Sequence, residues 1–326
     1  MRLLTTFIRR VVYACILLIA VLVLNFMLIH LAPGDPADVI AGEMGGATEE
    51  ILAEIRATYG LDKPISEQLL VYLGKVARGD LGYSFYFNMP VTDLILQRVG
   101  ATILLVITSL VLAVYLGTFL GVVASKKPTG YLSHFVTILS LLGYSAPVFW
   151  TGMMLLILFA SWLPILPVSG MYNVALEGGR LARTLDILHH LILPMLTLGI
   201  IYLAQYSRLA RASMLDVLGS DYIRTARAKG VSERMIIYKH ALKNAILPIV
   251  TMAGLQMSYL FSGAILVETV FNWPGLGRLA FESILRRDHP TILGILFFST
   301  FIVIIANLLT DLSYRLIDPR IHAGAK

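Results

Sequence analysis

Charged residues are scarce in this chain, and their scarcity points to its class. Only 14% of the 326 residues are charged and 57% are hydrophobic, whereas an average soluble domain is about 25% charged. A soluble fold would have too little polar surface to cover this apolar content, so we expect the chain to lie in membrane lipid. The net charge of +6 does not indicate a nucleic-acid partner, because the basic residues stand in short blocks between apolar runs, as is typical of membrane topology.

Motifs that carry out chemistry are missing as well. Cys15 is the only cysteine, which excludes an internal disulfide and a multi-cysteine metal site. The sequence contains no G-x-x-x-x-G-K-[ST] phosphate loop and no H-E-x-x-H zinc motif. We therefore predict no catalytic residue, no cofactor and no metal. A membrane machine built on this chain takes its energy from a partner protein or from an ion gradient.

Six apolar segments are long enough to cross a bilayer, which takes about 20 residues. They are residues 11–31, 101–124, 135–160, 187–209, 246–267 and 292–312. The first exceeds the about 7–15 apolar residues of a signal peptide and precedes no small-residue cleavage site, so we expect an uncleaved first span. Pro147, Pro194 and Pro248 are expected to interrupt or kink the third, fourth and fifth segments, which favours packing in a bundle.

The positions of Lys and Arg predict the orientation. Most of them lie in connections that are cytoplasmic if both termini are inside the cell, so we assign both termini to the cytoplasm. Residues 1–31 then form the first transmembrane helix with its cytoplasmic tail, 32–100 a periplasmic or extracellular helical segment, 101–318 a five-helix core, and 319–326 a cytoplasmic tail. Within residues 32–100, start and stop signals predict two amphipathic helices, one from Thr48 to Gly60 and one from Ser66 to Gly79.

The loop at residues 212–245, between the fourth and fifth segments, is the most structured connection. Ser220 and Asp221 offer an N-cap for a helix over residues 222–229, and Gly230 supplies a left-handed turn. Ser232 is predicted to cap a second helix that runs to about Asn244. Small residues beside an aromatic ring on one face of the first helix would form a compact knob for a partner's pocket. They are Tyr222, Thr225, Ala226 and Lys229. The alternative is a solvated basic loop that only sets topology.

Residues 221–230, with the sequence DYIRTARAKG, resemble the cytoplasmic EAA loop of ABC-importer permeases, in the form found in the dipeptide/oligopeptide/nickel family. Seven further motifs of that family occur along the whole chain, in the family's order. They are HLAPGDP at 30–36, GLDKP at 60–64, GDLG at 79–82, LPVSG at 166–170, FNWPGLG at 271–277, RDHP at 287–290 and DPR at 318–320. The chain departs from the general pattern in having Arg224-Thr225-Ala226 in place of Glu-Ala-Ala, and the later I-x-L-P is not matched.

The resemblance implies an all-α membrane protein of the type I ABC-importer permease fold in a bacterial inner membrane. Such a permease is not an enzyme; it forms half of a path for di- or oligopeptides that works by alternating access. The implied partners are a second homologous permease subunit, with which the chain would form a heterodimer, two cytoplasmic ATPase subunits, and a periplasmic or lipid-anchored solute-binding protein. We expect the binding protein to dock on residues 32–100. The solute stays open among dipeptides, longer peptides, glutathione, nickel complexes and opines.

The family places its ATPase contact on coupling helices in the EAA loop. The match carries over most directly at Ala226 and Gly230. The full set of predicted ATPase-coupling residues is Asp221, Tyr222, Thr225, Ala226, Ala228 and Gly230.

Ser145, Pro147 and Glu268 are predicted to line the translocation path. Ser145 and Pro147 mark a break in the third segment, and non-helical backbone at membrane depth is tolerated beside a water-filled cavity. Glu268 lies near the end of the fifth segment, beside residues 271–277. In the second segment, small residues recur every four positions and predict close packing on another helix, with a helix of the same chain favoured over one of a second permease. They are Ala113, Gly117 and Gly121.

Two other classes compete with the importer. An ion-coupled secondary transporter would place ionisable groups near the membrane midplane, but Glu268 and Asp311 lie near the ends of their segments. An intramembrane serine protease would need Ser145 within hydrogen-bond reach of His189 or His190. These two histidines point about 100° apart on a helix, so we predict that they anchor the chain at the interface and do not share a metal.

Overall fold

The structure, a computed structural model, describes residues 2–31, 48–59, 61–84 and 86–317. Most of the motif at residues 30–36 lies outside these ranges. Gly60, the motif at 318–320 and the predicted tail at 319–326 lie outside them entirely. The Asp311 side chain is likewise outside the description.

Helices make up most of the described chain, in agreement with the predicted all-α class. They are α1 Arg2–Leu31, α2 Glu49–Tyr59, α3 Ile65–Ala77, α4 Val91–Ser125, α5 Tyr131–Ser145, α6 Val148–Leu156, α7 Arg180–Leu218, α8 Asp221–Ala228, α9 Glu233–Met235, α10 Leu242–Val270, α11 Leu276–Arg286 and α12 His289–Ile317. A π-helical segment, Ile157–Trp162, continues α6, and a second, Ile236–Ala241, joins α9 to α10. One short hairpin, in which β1 Tyr83–Ser84 pairs antiparallel with β2 Met89–Pro90, was not predicted.

Three helices of the described chain are long and apolar enough to cross a membrane: α4, α7 and the His289–Leu308 part of α12. The pair of α5 and α6 would make a fourth span, but it bends by 106°. Ala146, before Pro147, has an extended backbone with ψ 133°, because the proline ring disfavours helical geometry in the residue that precedes it. The break at Pro147 was predicted. The helices α7 and α10 run through Pro194 and Pro248, so neither proline ends its helix.

One compact unit contains residues 1–100 and 278–305. Its helices α2 and α3 confirm the two amphipathic helices expected from the start and stop signals. His30 of α1 lies 3.0 Å from the Gln68 side chain of α3, and the rings of Phe26 and Tyr72 stack with centroids 5.7 Å apart. Burial raises the pKa of Tyr72 to about 12. These contacts hold α3 against α1.

The hairpin of the same unit is attached to the start of α12. The Ser84 hydroxyl donates to the Asp288 carboxylate at 2.5 Å, and the Thr291 hydroxyl donates to the same carboxylate at 2.6 Å. All three residues are buried, so this carboxylate is satisfied by hydrogen bonds in place of water.

The second compact unit contains residues 101–277 and 306–326. Here α4 lies directly on α7: a Cβ atom added at Gly117 would come within 2.7 Å of the Tyr206 Cβ, and one at Gly121 within 2.6 Å of the Ala210 Cβ. The small-residue series therefore serves internal packing, as predicted, because only glycine permits this approach of two helices. The hydroxyls of Ser140 and Ser207 are 2.7 Å apart and join α7 to α5.

Candidate functional site

The start of α8 follows from two residues at the end of α7. Gly219 closes α7, and Ser220 adopts an extended backbone with ψ 155° that turns the chain into α8. The Ser220 hydroxyl donates back to the Val217 carbonyl at 2.5 Å, so it does not cap α8 with its side chain. Asp221 lies in the first turn of α8, where a carboxylate is favourable beside the positive end of the helix dipole. The observed helix, Asp221–Ala228, starts one residue before the predicted one.

The inner side of α8 is fixed by Ile223. This side chain is fully buried in a cluster with residues of α4, α7 and the segment that leads into α10. The cluster contains Val122, Met214, Ile223, Ile236, Ala241 and Ala245. Ala226, half-buried, packs against it one turn after Ile223. Burying an Ile side chain contributes about 1.5–3 kcal/mol, enough to hold a helix of eight residues in place.

The other predicted coupling residues of α8 lie on its outer side and are exposed. They are Asp221, Tyr222, Thr225 and Ala228. The Asp221 side chain is 97% exposed and its only described ion pair, with Arg224, spans 3.5 Å. Tyr222 is 45% exposed, and its hydroxyl accepts a hydrogen bond of 2.7 Å from the Asn244 amide. The same hydroxyl donates to the His240 carbonyl at 3.4 Å, and an exposed ring held in this way presents a fixed apolar face to a partner.

The turn after α8 is closed by a glycine and an ion pair. Gly230 has φ +76°, in the left-handed region that the sequence predicts for it. Across this turn, the Arg227 guanidinium donates to the Glu233 carboxylate at 2.7 Å, and this hydrogen bond raises the pKa of Arg227. The turn therefore joins α8 to α9 as one exposed surface.

The second predicted helix of this loop differs from the observed one. It was expected to run from Ser232 to about Asn244 and stop, but α9 passes through the π-helical segment directly into α10. Ile236 and Ala241 are both fully buried in the cluster around Ile223. In an α-helix, positions five apart point about 140° away from each other, so the wider π turn is what brings both to one side. A search for a 3.6-residue period misses this arrangement.

Two predicted path residues, Ser145 and Pro147, lie at the bend between α5 and α6. Ser145 ends α5, Pro147 precedes α6, and both are exposed. The irregular backbone predicted for this place is present.

The third predicted path residue, Glu268, is fully buried near the end of α10. Its carboxylate accepts a hydrogen bond of 2.6 Å from the Thr102 hydroxyl, which in turn accepts one of 2.8 Å from the Leu276 backbone. A Cβ atom at Gly275 would collide with this carboxylate. Trp273, also fully buried, donates from its indole nitrogen to the Ala101 carbonyl at 2.9 Å. We call residues 268–277 with Thr102 the buried loop.

Both histidines near the start of α7 contact neighbouring residues. The His189 ring lies 3.1 Å from the Ile165 carbonyl, and the His190 ring lies 2.9 Å from the Asp186 carbonyl and 3.3 Å from its carboxylate. Their ring planes stand 85° apart. These contacts fix the connection before α7, and neither ring is hydrogen-bonded to Ser145 within the described ranges.

Comparison with protein families matches nearly the whole chain. The family model described as "Binding-protein-dependent transport system inner membrane component" matches residues 113–323, and the model for the N-terminal part of such components matches residues 3–108.

Three curated relatives are transport permeases from different bacteria. The chain is 41% identical over 321 residues to the dipeptide transport system permease protein DppB of Escherichia coli strain K12, covering 93% of this chain and 94% of that protein. It is 40% identical over 328 residues to DppB of Alkalihalophilus pseudofirmus, covering 96% and 98%. It is 40% identical over 317 residues to the di/tripeptide transport system permease protein DppB of Pseudomonas aeruginosa, covering 93% and 94%.

A solved structure with a similar backbone is that of the MetNI methionine ABC transporter in inward-facing conformations. The TM-score is 0.56 at 15% sequence identity, over 69% of this chain and 96% of that chain. At this identity the likeness indicates a shared fold only.

Proposed function

Because the chain belongs to the family of inner membrane components of binding-protein-dependent transport systems, we propose that it is the permease subunit of an ATP-driven peptide importer. It is a multi-pass protein of the inner membrane, and ATP is hydrolysed by a separate subunit. The peptide cargo is supported by relatives named for dipeptide transport that align with nearly the whole chain.

The proposed topology has six spans: α1, α4, the bent pair of α5 and α6, α7, α10 and α12. Both termini are cytoplasmic, since this orientation puts most Lys and Arg residues inside. Residues 32–100 then form the outer segment, 101–318 the core with the cytoplasmic loop 212–245, and 319–326 the tail.

The observation that carries the proposal is the construction of α8. Its buried side, at Ile223, is anchored in the chain's own core, while Asp221, Tyr222, Thr225 and Ala228 are exposed. We propose that this exposed face and the turn at Gly230 bind one of two cytoplasmic ATPase subunits. Ala226 supports the face from behind. Closure of the ATPases then moves α8 and, through the continuous backbone, α7 and α10.

A second, non-identical permease would complete the path. In the proposed arrangement the exposed bend at Ser145 and Pro147 faces the solute. Glu268 acts from inside its own unit by holding the buried loop, which serves as a gate on the outer side. A periplasmic or lipid-anchored binding protein delivers the peptide to residues 32–100.

Reconstitution in lipid vesicles tests the proposal. The chain is assembled with the second permease, the ATPases and the binding protein, and uptake of a radiolabelled dipeptide is measured. We expect uptake that requires ATP and the binding protein and that stops when the ATPases are inactivated. Uptake driven by an ion gradient without the ATPases would overturn the proposal in favour of a secondary transporter.

The outer segment and the solute have separate tests. Removing residues 48–77, which contain α2 and α3, is expected to abolish stimulation of ATP hydrolysis by the binding protein. Unchanged peptide uptake after this deletion would contradict docking there. Mass spectrometry of the molecule that co-purifies with the binding protein identifies the solute.

A further inference from the structure

An open cavity of about 460 Å³ lies in the unit of residues 101–277, where α5, α7 and α10 meet. Its lining combines a cation, an amide, an aromatic ring and two apolar side chains. These are Arg208, Gln205, Tyr144, Leu209 and Met252. Sites for small molecules occupy about 300–1,000 Å³ and combine apolar walls with a few polar groups, so this cavity has both the size and the composition of a binding site.

Arg208 provides the charge of this cavity. Its guanidinium carbon lies 5.2 Å from the centre of the Tyr144 ring, and its side chain is exposed. No ion pair of Arg208 with a carboxylate occurs in the part of the chain that the structure describes. A guanidinium held over a ring keeps its N–H donors free for a planar partner.

The next arginine on α7 shows what a structural role looks like. Arg211 donates to the Ser133 hydroxyl at 2.9 Å and to the Pro128 carbonyl at 3.2 Å. It thereby fastens α7 to the start of α5. Arg208 has no such hydrogen bond among the described residues, although it is less than one turn away.

Amide groups lie beside the charge. Gln256 is only 7% exposed and donates from its amide nitrogen to the Gln205 side-chain oxygen. The Gln256 side-chain oxygen is buried and has no hydrogen-bond partner within the described ranges. Gln205 lines the cavity, so its hydrogen bond with Gln256 fixes the orientation of the Gln205 amide there.

We propose that Arg208 and Tyr144 form a transient binding site for the terminal carboxylate of the transported peptide. Two parallel N–H donors of the guanidinium match the two oxygens of a carboxylate, the Gln205 amide matches the peptide group, and Met252 and Leu209 contact its side chain. This inference rests on the peptide-importer proposal. The charge lies about 15 Å before the end of α7 that leads into the coupling loop, so it acts on the cytoplasmic part of the path.

A topological role for Arg208 makes a different prediction. If the charge only satisfies the positive-inside rule, Lys replaces it without loss. If the charge binds a carboxylate, Lys preserves attraction but loses the two-donor geometry.

The test uses the complete transporter in vesicles, with peptide uptake and ATP hydrolysis measured separately. Arg208→Gln is expected to lower uptake about tenfold, since a charge-assisted pair is replaced by a neutral contact, while ATP hydrolysis stimulated by the loaded binding protein is unchanged. Arg208→Lys is expected to lower uptake about threefold. The matched control is Arg183→Gln on the same helix: Arg183 lies 4.5 Å over the Tyr172 ring but outside the cavity, and uptake is expected to stay normal.

A peptide and its C-terminal amide, each loaded on the binding protein to the same occupancy, give the second measurement. The wild-type transporter is expected to move the free acid faster, and Arg208→Gln to remove the difference. Equal rates for both peptides in the wild type would overturn the inference, as would normal uptake by Arg208→Gln. Parallel loss of uptake and ATP hydrolysis would also overturn it, because it indicates a structural role.

A replacement variant covers a failure to assemble, and one control distinguishes failure of this inference from failure of the proposed function. If Arg208→Gln does not assemble, Tyr144→Leu takes its place; it keeps an apolar side chain but removes the ring, and the preference for the free acid is expected to fall. If the wild type moves no peptide with ATP and all partners present, the proposed function fails.

Discussion

The two ends of α10 are built in opposite ways. At its beginning, the chain passes through α8, the turn at Gly230 and the π-helical segment, and most side chains of α8 are exposed. At its end lies the buried loop, where Glu268, Phe271 and Trp273 have almost no exposed surface. Both turns contain a residue with positive φ, Gly230 at +76° and Asn272 at +53°. The two turns share this backbone conformation, but one is exposed and the other is packed in the core.

One helix can thus belong to the chain's own core at its end and offer an exposed surface to a proposed partner at its beginning. The buried loop satisfies its polar groups internally, so its geometry is fixed when the chain folds. Within α8 itself the buried side chain is Ile223, and most of the other side chains of this helix are exposed. Substitutions in the buried loop should therefore reduce stability, and those in α8 and the turn at Gly230 should reduce coupling.

Gly275→Ala is expected to have the largest effect. The new Cβ atom would collide with the Glu268 carboxylate, and displacing a buried hydrogen-bonded carboxylate costs about 3–5 kcal/mol. We expect little folded protein, measured as the monodisperse fraction after purification in detergent. Gly74→Ala in α3 is the control, because no atom lies within 4 Å of its added Cβ. Normal yield and thermal stability of Gly275→Ala would show that the buried loop is not fixed by this contact.

Thr102→Val removes the hydroxyl at the centre of the buried loop with little change of volume. The Leu276 N–H loses its acceptor and Glu268 loses one donor, at a cost of about 1–3 kcal/mol. The midpoint of thermal unfolding is expected to fall. Thr108→Val on the same helix should lie within about 0.5 kcal/mol of the wild type, since the Thr108 hydroxyl donates only to carbonyls of its own helix. Equal midpoints of the two variants would contradict a special role for Thr102.

Gly230→Val tests the exposed end. No atom lies within 4 Å of the added Cβ, so the cost comes from the left-handed backbone, about 1–2 kcal/mol for a residue with a side chain. We expect the thermal midpoint to fall by only a few degrees and the ATP hydrolysis stimulated by the binding protein to fall about tenfold, as the turn is displaced from the proposed ATPase contact. Gly230→Asn, which tolerates this backbone, should retain hydrolysis. A fully coupled Gly230→Val transporter would contradict the assignment of this turn.

Arg227→Gln is expected to have the smallest effect. The Arg227 and Glu233 side chains are 43% and 62% exposed, and such pairs contribute about 0–1 kcal/mol. The wild-type thermal midpoint should exceed that of the variant slightly at low salt and equal it at high salt, because exposed charges are screened. A difference that persists at high salt would show that this turn is more rigid than its exposure indicates.

Local signals predicted the parts of the fold that depend on neighbouring residues. Glu49 and Glu50 mark the start of α2, the backbone at Pro147 breaks the third segment, and Gly230 adopts the left-handed turn. The helix over α8 was predicted to within one residue at each end. In each case the cause lies in the covalent chemistry of a few adjacent residues.

Contacts distant in sequence could not be predicted in this way. The hydrogen bond between Thr102 and Glu268 joins residues 166 positions apart, and no periodicity signals it. Ile236 and Ala241 reach one cluster only through π-helical geometry, which an α-helical pattern does not contain. Pro194 lies within a continuous helix because packing in α7 overrides the tendency of proline to interrupt one.

The length of α7 gives it a mechanical property. Its 39 residues extend about 58 Å, whereas the hydrocarbon core of a bilayer measures about 30 Å. A continuous rod of this length behaves as a lever: a rotation of about 10° about its middle moves each end by about 5 Å, in opposite directions. One end carries the Arg183 and Tyr172 pair and the other continues into α8. If α7 turns as a rigid body about its middle, a tilt imposed at α8 reaches the connection that precedes α7 with reversed sign and equal amplitude.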